Sequence, residues 1–69
     1  MNHETLIRMA NQIAANLAVQ GDAAVEQTAQ HIRLYWDPRM KAALREIDLQ
    51  ALSPIARAAA AQILDRKIS

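Results

Sequence analysis

Cysteine is absent from this chain of 69 residues, which removes disulfides, thiolate zinc sites and cysteine-held iron–sulfur clusters from the devices open to it. Glycine occurs once, at Gly21, so there is no glycine-rich loop to cradle a phosphate. Aromatics are confined to Tyr35 and Trp36, and the prolines are Pro38 and Pro54. Long apolar runs are lacking too: the opening MNHETLIRMA is interrupted by Glu4 and Arg8 and reads as neither a signal peptide nor a membrane span. Neither sign of charge prevails, with eight Lys and Arg against seven Asp and Glu. That balance supplies no basic footprint for nucleic acid and no polybasic anchor for a membrane. A cytoplasmic location is the expectation, since an absence of cysteine fits a reducing compartment.

Length sharpens these absences. A chain this short buries only about 60% of the surface exposed by its unfolded form, so residues 1–69 are expected to form one small domain. Domains of this size often depend on disulfides, metals or oligomerisation; with the thiol routes closed, a partner chain is the expected support, and self-association is one form of it.

What the chain does have is helical periodicity. Around Leu6, the residues Met9, Ala10, Ile13, Ala14 and Leu17 fall on one arc, with Glu4, Arg8, Asn11 and Gln12 opposite. This predicts a first helix over about 3–20, closed by Gly21 in a left-handed conformation, with Asp22 capping the next. A second helix, 22–36, aligns Val25, Ala29, Ile32 and Trp36 inward and leaves Glu26, Gln27, Gln30 and Arg33 outside. Asp37 and Pro38 then supply an N-cap and a first-turn proline for a third helix, 38–48, with Met40, Ala43, Leu44 and Ile47 on its inner side. Ser53 and Pro54 repeat that punctuation for a fourth, 54–67, where Arg66 and Lys67 suit the negative end of the dipole. The predicted fold is all-α, a small bundle of about four short helices. Ala58 to Ala61 serve either helix propensity or a smooth face for close approach of another helix or subunit.

No catalytic constellation is visible. His3 lies in the first turn, and His31 lies off the core line, with Gln27 or Tyr35 as its possible neighbours. No spacing joins either histidine to a second ligand. Ser53 is a cap and Ser69 the terminus. No catalytic, cofactor or metal residue is therefore assigned, and the chain is expected not to be an enzyme by itself. A helix-turn-helix alternative would use Gln27, Gln30 and Arg33 as base-contacting residues, but it lacks the excess cations that phosphate binding requires.

One stretch, YWDPRMK (Tyr35 to Lys41), stands apart. Trp36 completes the core line of the second helix, while Asp37 and Pro38 make the turn and Met40 points inward. Tyr35, Arg39 and Lys41 remain as candidate partner-binding residues, because arginine and aromatics are enriched where interfaces concentrate their energy. Arg39 and Lys41 also sit in a first helical turn, which the dipole disfavours for cations. Arg8 and Asn11, on the outer face of the first helix, are weaker candidates.

The wording of three stretches, RMANQIA (Arg8 to Ala14), HIRLYWDPRMKAAL (His31 to Leu44) and LSPIARAA (Leu52 to Ala59), resembles the delta subunit of the soluble NAD-dependent, molybdenum-containing formate dehydrogenases. The resemblance implies a cytoplasmic complex that oxidises formate to carbon dioxide and passes electrons to NAD. It implies molybdopterin, iron–sulfur clusters and flavin on the larger subunits and none on this chain, which would be an accessory chain in assembly or stability. The match departs at Asn16 and Leu17, where aromatics are usual, and at DLQA (Asp48 to Ala51), where a glycine-rich connector is usual. The second departure implies a tighter link between the third and fourth helices.

Overall fold

Three of the four α-helices begin where a short polar side chain, of Asn2, Asp37 or Ser53, satisfies a backbone N–H that lacks an intrahelical partner. The computed structural model describes residues 2–65. In it Asn2 accepts from Thr5 N at 2.7 Å and opens α1, His3–Leu17. Helix α2 spans Ala24–Tyr35, α3 spans Pro38–Ala43 and α4 spans Pro54–Asp65. Among the described residues there is no strand, and the fold is all-α.

The core is a single cluster in which α2 packs against both α1 and α4, and α1 packs against α4. Leu6, Ala10 and Ala14 enter from α1, Ala29, Ile32 and Trp36 from α2, and Ala56, Ala59, Ala60 and Ile63 from α4. Small residues on α4 thus face the chain's own helices. Ala59 and Ala60 are buried and Ala58 and Ala61 half-buried, so close approach is used at least in part internally.

Several predicted boundaries move. The α-helical part of the first helix stops at Leu17 rather than residue 20, and Ala18–Ala23 form 3-10 turns broken at Gly21. None of those six residues is buried, so no core contact holds an α register there. Gly21 does take positive φ (63°), but its ψ of −123° is that of a type II′ turn and not the left-handed helical cap. Asp22 does not cap the second helix: the N-cap is Ala23, without a side-chain bond, because α2 begins at Ala24 and leaves Asp22 one position too early.

The third helix is shorter still, ending at Ala43 instead of 48. Leu44, Arg45 and Glu46 each bond three residues back, to Lys41, Ala42 and Ala43, tightening the last turn before Ile47 drops into the core. Asp48 then uses its side chain on Gln50 N (2.9 Å), starting a separate 3-10 turn, Leu49–Ala51. A short acidic side chain offers the backbone this local alternative to helix, and DLQA is accordingly a tight connector. The predicted extension of α4 to residue 67, with Arg66 and Lys67 at its end, lies outside the described residues.

Candidate functional site

The YWDPRMK turn is built from its backbone outward. Trp36 N–H donates to Ile32 O at 3.0 Å, closing α2, and Trp36 itself turns extended (φ −87°, ψ 136°). Asp37 is extended as well, as a residue before proline prefers, and its Oδ1 accepts from Met40 N at 2.9 Å. Pro38 occupies the first turn of α3, where its missing N–H costs nothing. Trp36 is only 4% exposed and belongs to the core cluster, with half-buried Met40 packed against it.

Folding also employs Lys41. Its Nζ donates to Arg33 O at 3.2 Å, placing a cation on a carbonyl near the negative end of α2, where the dipole favours it. Because α3 ends at Ala43, Lys41 also falls in the last turn of that helix, and the first-turn penalty expected of it does not apply. Tyr35 is 72% exposed and Leu34 67%, and Arg39 is exposed with no side-chain bond among the described residues. His31 pairs with Tyr35, ring centroids 4.6 Å apart and tilted by 38°. His3 lies 3.4 Å from Glu46, both well exposed, a geometry that contributes little to stability.

On α1, Arg8 is exposed but Asn11 is not the outer-face residue that periodicity predicts. Its Nδ2 donates to Ala51 O at 3.2 Å, and its Oδ1 accepts from Ser53 N at 2.8 Å. A carbonyl can only accept and an N–H only donate, so an amide matches this pair as neither a carboxylate nor an ammonium could. Ser53 Oγ in turn accepts from Ala56 N at 3.3 Å.

Arg57, in the first turn of α4, holds the same connector from the other side. Its Nε donates to Leu49 O and a terminal guanidinium nitrogen to Leu52 O, both at 3.1 Å. Helical side chains lean toward their own N-terminus, so an arginine four residues after the Ser53 cap reaches back over the preceding loop. That spacing is a sequence signal for the contact. Thr28, three residues after Val25 and four before Ile32, falls by spacing on the inner side of α2: it is fully buried, and its Oγ1 has no hydrogen-bond partner among the described residues.

The three quoted stretches therefore meet in space: all contribute to the one core cluster, Asn11 of RMANQIA holds Ser53 of LSPIARAA, and WDPRMK joins α2 to α3. Among the described residues no group of three or more His, Asp or Glu could hold a metal ion, and no helix is long and apolar enough to cross a membrane. A family model for the NADH-dependent formate dehydrogenase delta subunit, FdsD, matches residues 5–60. The chain belongs to that family. No curated protein and no solved structure matches it. The FdsD match runs from the first turn of α1 into α4, and so takes in the whole turn from Tyr35 to Lys41 and both halves of the Asn11–Ser53 contact. Membership in a subunit family implies association with other formate dehydrogenase subunits.

Proposed function

We propose that this chain is a non-catalytic accessory subunit of an NAD-dependent formate dehydrogenase, docking on a larger subunit and supporting assembly or stability of the holoenzyme in the cytoplasm. The observation that carries this reading is the delta-subunit family match across residues 5–60. The sequence supports it chemically, because without cysteine the chain has no thiolates for an iron–sulfur cluster. On this reading molybdopterin, iron–sulfur clusters and flavin belong to the other subunits.

The docking surface includes Tyr35, Arg39 and Lys41, with Arg8 on α1 as a further contact. Tyr35 and Arg39 make no side-chain hydrogen bond among the described residues; Lys41 is bonded to Arg33 O, and Asn11 has both ends of its amide engaged within the chain. Co-purification of the holoenzyme with and without this chain tests the assignment. The expected result is co-elution with a larger subunit and a lower yield of active enzyme when the chain is omitted. Normal assembly without it, together with no co-elution, sinks the proposal.

Arg39→Glu provides the surface-level test. Helicity and melting should stay within about 0.5 kcal/mol of the parent, as for surface substitutions generally, while association weakens. Loss of fold instead would make Arg39 a structural residue.

A further inference from the structure

The chain's near-neutral total conceals a local imbalance. Residues 33–45 contain four cations, Arg33, Arg39, Lys41 and Arg45, against one acid, Asp37. The Oδ1 of that acid already accepts from Met40 N. Three of the four cations, Arg33, Lys41 and Arg45, border one groove of about 320 Å³, whose remaining lining is Pro38, Ala42, Ile63 and Leu64. Among the described residues no carboxylate lines it.

Like charges drawn to one concavity repel one another, and such an arrangement is relieved by a partner that brings the opposite sign. Lys41 is held by Arg33 O, so one of these cations is positioned before any partner arrives; an ammonium has three donors, and among the described residues this one uses a single one. The rest of the lining is apolar, which a phosphate backbone or a free anion would leave unmatched. The volume lies near the lower limit for sites that enclose a drug-sized ligand, roughly 300 to 1,000 Å³, which is room for a few side chains.

From this we infer that the groove between α2, α3 and α4 receives an acidic segment of a larger formate dehydrogenase subunit, its carboxylates meeting Arg33, Lys41 and Arg45 and an apolar side chain covering Ala42 and Leu64. The inference rests on the delta-subunit reading and gives it a surface and a partner chemistry.

Holoenzyme assembled with Arg45→Glu is the test. Arg45 is exposed and its side chain makes no bond among the described residues. Ala42→Asp, which adds an acid to the exposed edge of the groove without removing a cation, serves as the second variant. Either change should lower the fraction of chain retained on the complex roughly tenfold or more, whereas Arg45→Lys retains it and rising salt weakens the parent.

Folded variants that are retained as well as the parent overturn the groove and leave the subunit reading standing. The groove is equally overturned by an isolated chain whose self-association, and nothing else, is abolished by Arg45→Glu. It is overturned too if that change removes binding of a duplex DNA probe and not of the larger subunit. A parent chain that joins no formate dehydrogenase subunit at all fails the subunit reading itself.

Discussion

Asn11 and Thr28 are polar residues on helices that periodicity handles in opposite ways, and both lead to measurable expectations. Periodicity places Asn11 outside, yet its amide spans two backbone groups of a connector some forty positions away in sequence. Truncation in Asn11→Ala leaves a part-buried Ser53 N–H without its acceptor, a loss of about 1–3 kcal/mol. Thermal melting should register it, and amide exchange should accelerate first at Ser53. Thr28 is the reverse case, a hydroxyl taken into the core without a partner among the described residues. Thr28→Val keeps the shape and the helix propensity and removes an unsatisfied group, so stability should rise by about 1 kcal/mol. For a domain of this size that moves the melting midpoint by about 4–8 °C. An unchanged or lower midpoint would mean that an ordered water already satisfies the hydroxyl.

Among the elements, the helices were more legible than their ends. The apolar arcs read from the sequence all contribute to one core, since each arc depends only on spacing within a dozen residues. The caps at Asp37 and Ser53 were legible for the same reason: the bonds they make reach only three residues along the chain. The stop at Ala43 was not, because it depends on Ile47 being needed in the core and on Asp48 turning to Gln50. Gly21 marks an intermediate case, where positive φ was foreseeable and the turn type was not. A Cβ added there meets nothing within 4 Å, so Gly21→Ala introduces backbone strain alone, about 1–3 kcal/mol. Denaturant melts should show a lower midpoint with an unchanged slope; a neutral result would indicate that the α1–α2 connection relaxes to another turn.

For the molecule as a whole, size sets the limits. A radius of gyration of 10.9 Å matches the value of about 11 Å expected for a folded chain of this length, and total stability should be only about 3–10 kcal/mol. Against that total, Trp36→Ala, at about 3–5 kcal/mol for a buried aromatic truncation, should leave the chain largely unfolded by circular dichroism. Its neighbour behaves oppositely: Tyr35→Ser should keep the melting curve within about 0.5 kcal/mol while weakening retention on the larger subunit. A Tyr35→Ser variant that melts like Trp36→Ala would show the His31 contact to be structural. Docking also stabilises by mass action, so the melting midpoint of this chain should rise within the complex.

The candidate site was legible in part, and the division follows the reach of each signal. Helix class, the Trp36–Asp37–Pro38 turn and the family wording are local properties, carried by spacing, capping chemistry and fixed proline geometry within a few residues. The exposure of Tyr35 was local information too, because it follows from the phase of α2. Packing was needed to show that Asn11 and Arg57 grip one connector from two helices, that Lys41 serves the end of α2, and that Arg45 joins Arg33 and Lys41 around one groove. Those contacts depend on where α1, α3 and α4 come to rest against α2. No periodicity encodes that arrangement, because it is chosen by burying the apolar faces together and satisfying the polar groups left at their edges.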